Sequence, residues 1–314
     1  MTQKSSIESG KNRVTMAAVG RMAGVSQVTV SRALSHPDKV SPDTLRRIRE
    51  AIEATGFVPN ALAGALASKR SNLIAALIPS LTNIVYSSFT AVFSEHLRGH
   101  GYQVLLSETG FDPQAEEALI ATHLSRRPDA MLLTGIHHSP HARRLLLGAD
   151  IPVVEIWDIT DSPIDMCVGF NHMDAGRAVA DYLYDKGHRM AATITASDER
   201  ALRRQTAFAD RFQQLSGTDV PEANTGGPAS LGAGRRALGE LVDTKGLQTG
   251  AIFCSSDLLA HGALIEARAR GLSVPQDIAV VGFGDQDFAR DLDPALTTVI
   301  VDRVQLGHVA AGAL

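Results

Sequence analysis

From Ser71 onward the chain alternates short apolar runs with amphipathic stretches, and no other feature constrains the fold as tightly. LIAALIP (73–79), YQVLLSET (102–109), AMLLTG (130–135), PVVEIW (152–157), MAATITA (190–196), AIFCS (251–255) and IAVVGFG (278–284) read as strands. Between them lie helical stretches such as QAEEALIATHLSRR (114–127) and DLLAHGALIEARARG (257–271). Strands separated by single helices imply parallel sheets with helices on both faces. There are too many strands for one small sheet. Two sheets, each with its own helices, leave a cleft at the carboxyl ends of the strands, where ligands bind. A chain of 314 residues, 44% hydrophobic, is long and apolar enough for two or three compact units.

The first seventy residues are of a different kind. They hold eleven Lys/Arg against five Asp/Glu, whereas the rest of the chain holds 19 against 29. A basic piece on an acidic body is the footprint of a module that meets a polyanion. MAAVGRMA (16–23) has the spacing of a short helix, and Gly24 suits a tight turn because it takes a left-handed conformation without a Cβ penalty. Ser26 is placed to cap a second helix running to about Leu34. Ser41-Pro42-Asp43 supplies a cap, a first-turn proline and a first-turn acid for a third helix, with Leu45, Ile48 and Ile52 on one face and Gly56 closing it. This is helix-turn-helix organisation, in which the second helix enters the major groove. Val25, Val30 and Leu34 are expected to face inward, and Gln27, Val28 and Arg32 outward. Gln can pair with adenine, Arg with guanine, and a valine can touch a thymine methyl. Thr29 and Ser31 are sized for phosphate contacts. An ordinary three-helix bundle explains the caps but not the charge.

The run VTMAAVGRMAGVSQVTVSRALSHPDKVSPDTLRRIREAIEATGFVPNALAGALASKRS, with its pieces AGVS, TVSRAL, KVSPDT and GFVPN, resembles the N-terminus of LacI-family transcription repressors. The body resembles the periplasmic-binding-protein-like core of the same family, nearest to the gluconate-repressor branch through IPSLTN, HGYQVLL, PVVE and VGFN. The resemblance implies an all-α helix-turn-helix domain followed by an α/β core of two subdomains. It divides the chain into a DNA-binding domain (1–58), a hinge helix or linker (59–70) and a ligand-binding and dimerisation core (71–314). The core's first subdomain would hold about 71–170 plus 298–314, and its second about 171–297. On this likeness Thr15, Ser26, Gln27, Val28, Thr29, Ser31, Arg32, Asn60, Ala63 and Leu66 would touch DNA. Leu66 would be the wedge that each of two hinges inserts into the minor groove, a device in which unstacking is offset by contacts to the bent duplex. The family often has Arg-Ser where this chain has Gly64-Ala65, and PNALAGALASKRS (59–71) by itself is a weak helix or a plain linker. The family continues with a further strand region after VDRVQLGHVAAGAL, and this sequence ends before it.

For the cleft, Arg204 follows the strand MAATITA and Asp257 follows AIFCSS, both at strand carboxyl ends. Arg204 can fork onto a carboxylate or hydroxyls, and Asp257 can accept from sugar hydroxyls or serve as a helix cap. RQTAF and SSDLLA match the arginine and aspartate with which the family holds its effector, and Asp158, Asn171 and Asp285 are further candidate contacts. Arg200 and Arg203 stand close enough to Arg204 to exchange roles with it. The expected partners are operator DNA, a sugar or sugar-acid effector and a second copy of the chain, the dimer forming along residues 85–93 and the C-terminal helix.

Other chemistry has little local support. GFGDQD (282–287) lacks the third glycine of a dinucleotide site, and His137, His138 and His141 read as a solvated loop rather than a metal centre. Trp157 reads as core rather than as a sugar-stacking ring. Cys167 and Cys254 have no metal-ligand spacing and suit a reducing compartment. No secretory h-region and no run of 18 apolar residues occurs, so a cytoplasmic, nucleoid-associated protein with no cofactor, no catalytic residues and no membrane span is expected. The alternatives are an α/β sugar-processing enzyme with a fused DNA-binding module, and an exported solute-binding protein.

Overall fold

The computed structural model describes residues 14–59 and 70–314, which fall into two compact units, Met1–Ser71 and Asn72–Leu314. In the first, Thr15 caps α1 (Met16–Ala23), its side chain accepting from the Ala18 N–H at 3.3 Å. The helix ends at Gly24, with φ 65° and ψ 35°. Ser26 caps α2 (Gln27–Ser35) by accepting from the Thr29 N–H, and Ser41 caps α3 (Pro42–Thr55), which Gly56 closes at φ 62°. Val19, Ala23, Val30, Ala33, Ile48, Ala51 and Phe57 form the core. The inward place expected for Leu34 belongs to Ala33, and Leu34 is 39% exposed. Leu34, four residues after Val30, lies at the edge of the face that Val30 and Ala33 bury.

The second unit holds two five-stranded sheets. The first is built from β1 (Leu73–Ile78), β2 (Gln103–Glu108), β3 (Ala130–Thr134), β4 (Val153–Ile156) and β5 (Met166–Val168), in the order β2-β1-β3-β4-β5. Helices α4 (Ile84–Gly99), α5 (Pro113–Leu124) and α6 (Pro140–Leu147) connect them. The chain then enters α7 (His172–Asp185) and the second sheet: β6 (Ala191–Thr195), β7 (Glu222–Asn224), β8 (Gly250–Cys254), β9 (Ile278–Phe283) and β10 (Thr297–Val299), in the order β10-β9-β8-β6-β7. Here the connectors include α8 (Glu199–Ser216), α9 (Leu231–Asp243) and α10 (Asp257–Ala269). Every strand pair is parallel. α11 (Arg303–Ala313) returns to pack on α4 of the first half.

Five of β1's six residues and all six of β9's are buried, which is why these strands read as continuous apolar runs. The three-residue edge strands β5, β7 and β10 carry no such run, and the sequence reading passed over them. In both sheets the strand order reverses beside the first strand, so the two sets of carboxyl ends define the place for a ligand. Among the described residues, no helix is long and apolar enough to cross a membrane.

Candidate DNA interface and effector cleft

α2 contains no acidic residue, and Gln27, Val28, Ser31 and Arg32 form one exposed face, with Val28 66% exposed. This slim face, with its amide and guanidinium donors, is free for a groove. Three of the expected DNA contacts also have structural work. The Thr29 hydroxyl lies 2.9 Å from that of Ser26, and Ser26 and Thr15 spend an acceptor on helix caps. Asn60, Ala63 and Leu66 lie outside the described residues. Replacing Arg32 with Ala is expected to weaken operator binding by about 1–3 kcal/mol and to relax the preference at one base position. Binding to a panel of single-base operator variants checks this, and an equal loss on all of them would assign Arg32 to phosphate.

In the second unit, Arg204 is 6% exposed and wired into the protein. Its Nη1 donates to His172 Nδ1 at 2.7 Å, its Nη2 to the Ser255 carbonyl at 3.0 Å, and its guanidinium carbon lies 3.9 Å from the centre of the Phe283 ring. Burial pulls its pKa down to about 10. Burial, together with the Arg204 charge, pushes His172 down to about 3, so this histidine is neutral. It accepts from Arg204 at Nδ1 and donates from Nε2 to the Trp157 carbonyl at 2.7 Å.

Asp257 is fully buried, and burial raises its carboxyl against the pull of its two donors. Thr298 Oγ1 donates to Oδ1 at 2.5 Å, and the Gln286 N–H to Oδ2 at 2.7 Å. A Cβ on Gly282 would lie 2.2 Å from Oδ1, so only glycine admits the carboxylate beside β9. The helix-cap reading of Asp257 is corrected: Ser256 caps α10 and Asp257 is its first residue.

Asp158 is paired with Arg203, and Tyr86 accepts from Arg200 Nη2 at 2.9 Å. Asn171 caps α7 at the crossover, its side-chain oxygen accepting from Met173 and Asp174. Asp285 sits at φ 49°, its carbonyl accepting from Arg303. Three cross-links therefore join the walls of the cleft: Tyr86–Arg200, Asp158–Arg203 and His137–Glu199, the last at 2.5 Å. Tyr86, His172, Phe283, Gln286 and Thr298 escaped the sequence reading. Only the apolar flank of Phe283 in IAVVGFG hinted at any of them.

Trp157 is core, packed edge-on against Tyr86. The solvated-loop reading of the histidine cluster fails at His138, whose side chain is 1% exposed. Its Nδ1 meets Glu116 at 2.6 Å and its Nε2 meets Glu155 at 3.2 Å. Among the described residues, no three His, Cys, Asp or Glu side chains are arranged to hold a metal ion.

Residues 15–60 match the model of the lacI family of bacterial regulatory proteins, and residues 180–314 match that of the periplasmic binding protein-like domain. The HTH-type transcriptional regulator GntR of Pseudomonas aeruginosa is 36% identical over 304 residues, covering 96% of this chain and 88% of its own. GntR of Escherichia coli K12 is 31% identical over 310 residues, covering 97% and 92%. A crystal structure of a LacI-family transcriptional regulator from Silicibacter pomeroyi superposes with a TM-score of 0.89 at 32% identity, covering 95% of this chain and 90% of that one. The chain belongs to the LacI family of bacterial regulatory proteins. It is a DNA-binding transcription regulator and not an enzyme.

Proposed function

We propose that this regulator is a repressor that reads a pseudo-palindromic operator as a dimer and responds to a sugar acid of the gluconate type. The single observation that carries the effector class is the arginine cluster on α8. Arg200, Arg203 and Arg204 gather near the carboxyl ends of the strands, with the fully buried acceptor Asp257 at the start of α10. Arginine forks suit a carboxylate, and a buried carboxylate suits sugar hydroxyls. The names of the two GntR relatives agree with this class. Arg204, Asp257 and Asp158 are the main contacts of the reading, with Asn171 and Asp285 at its margin.

Residues 1–58 serve as the reading head, 59–70 as the hinge that carries Leu66, and 71–314 as the sensing and dimerising core, acting in the cytoplasm at the nucleoid. Two half-sites need two recognition helices related by a two-fold axis, which is the reason for a dimer. Ligand in the cleft changes the balance between core conformations, and thereby the affinity of the dimer for its operator. Couplings of this kind are about 1–3 kcal/mol, roughly 5–150-fold in affinity. Calorimetry with gluconate, its 6-phosphate and neutral hexoses tests the effector class. Binding to the acids supports it, and binding to neutral hexoses alone would contradict it.

A further inference from the structure

The three arginines of α8 are not equivalent. Arg204 has both Nη atoms engaged by His172 and Ser255, and Arg200 donates from Nη2 to Tyr86. Arg203 holds a carboxylate instead. Its Nη1 lies 3.3 Å from Asp158 Oδ1, and its Nη2 donates to Oδ2. Its Nε makes no hydrogen bond, lying 3.5 Å from Glu199 Oε1. The Arg203 side chain is 27% exposed, while that of Asp158 is 2% exposed. Two N–H groups on two carboxylate oxygens is the bidentate geometry with which arginine recognises a carboxylate ligand.

The pair joins opposite walls. Arg203 stands on α8 of the second half, and Asp158 follows β4 of the first. The backbone is shaped to present Asp158. Trp157 takes φ 69°, uncommon for a bulky residue. A Cβ on Gly169 would lie 2.3 Å from the Asp158 nitrogen, so glycine is required where the end of β5 passes.

We propose that Arg203 reads the carboxylate of the effector, and that Asp158 is an internal stand-in that occupies this fork until a sugar acid displaces it. The inference rests on the sugar-acid reading and deepens it. The exchange replaces one carboxylate by another on the same donors. The displaced Asp158 carboxylate keeps only the Ile159 N–H, 3.0 Å from Oδ1, and needs a further donor, because a buried charge short of partners is costly. A polyhydroxy acid supplies both groups together: its carboxylate for Arg203 and a hydroxyl for Asp158. A neutral sugar offers hydroxyls but nothing to replace Asp158 on Arg203, so it leaves the pair closed. The pair thereby discriminates aldonates from aldoses and sets the effector concentration needed for a response.

The test is calorimetry of the full chain, as wild type, Asp158→Asn and Arg203→Lys, with D-gluconate and D-glucose. Asparagine keeps an acceptor oxygen but releases the arginine fork. Asp158→Asn is expected to bind gluconate about tenfold more tightly than wild type, a gain that misfolding does not produce. Arg203→Lys is expected to bind it about tenfold more weakly, since an ammonium cannot fork. If wild type binds gluconate and Asp158→Asn binds it no better, the stand-in is wrong and the sugar-acid reading survives. Unchanged gluconate affinity in Arg203→Lys overturns the inference in the same way. If wild type binds neither gluconate nor any other aldonate, the sugar-acid reading falls and takes the inference with it.

Discussion

Replacing Arg204 with Ala is expected to abolish the response to effector, with gluconate affinity falling by about 2–5 kcal/mol, the range for truncating one member of a buried, hydrogen-bonded charged contact. The substitution removes the guanidinium of a residue that is 6% exposed, its central carbon 3.9 Å from the centre of the Phe283 ring. It also leaves His172 Nδ1 and the Ser255 carbonyl without their donor. His172 then loses one of the two bonds that fix its ring between Arg204 and Trp157. Operator binding without effector should persist, because the reading head is a separate compact unit. Titrating a labelled operator with and without gluconate measures both quantities. A variant that still responds at wild-type gluconate concentrations would show that Arg204 is dispensable.

The second large effect concerns His138. Burial alone disfavours its imidazolium, but the hydrogen bonds and charges of Glu116 and Glu155 overcome burial and raise its pKa to about 9. The ordinary value is about 6.5. A group whose folded pKa is raised stabilises the fold fully below the unfolded value, and that stability is lost as pH rises through the folded value. Wild type should therefore lose about 3 kcal/mol of core stability between pH 6.5 and a pH above 9. His138→Gln should lack that slope. His138→Ala should cost about 3–5 kcal/mol near neutrality, because Glu155 is fully buried and loses its counter-charge. Urea melts of the full chain across this pH range check both outcomes. Equal slopes in wild type and His138→Gln would show that the imidazolium is not paired.

The features legible in the sequence are those whose cause is local. Gly24, Ser26 and the Ser41-Pro42 pair each act within one turn, and the structure uses each in the way its chemistry suggests. The alternation of buried strands and connecting helices was legible because burial on both faces writes long apolar runs. The failures have the opposite origin. The partners of His138 stand 22 and 17 residues away, and Asp158 meets Arg203 across 45 residues. Thr298 reaches Asp257 across 41. No window of sequence shows such pairs, so a buried triad read as a loop, and Asp257 invited a cap assignment that belongs to Ser256. Leu34 was misplaced for a smaller reason. Leucine is the more apolar residue, but Ala33 takes the core place beside Val30 and Leu34 falls at the edge of that face.

The central claim is that ligand in the core and DNA on the reading head are energetically linked. The most direct measurement is the affinity of purified wild-type chain for an operator duplex at fixed salt, with and without saturating gluconate. The account predicts a shift of roughly 5–150-fold. An operator affinity that stays the same while calorimetry shows gluconate bound would contradict it.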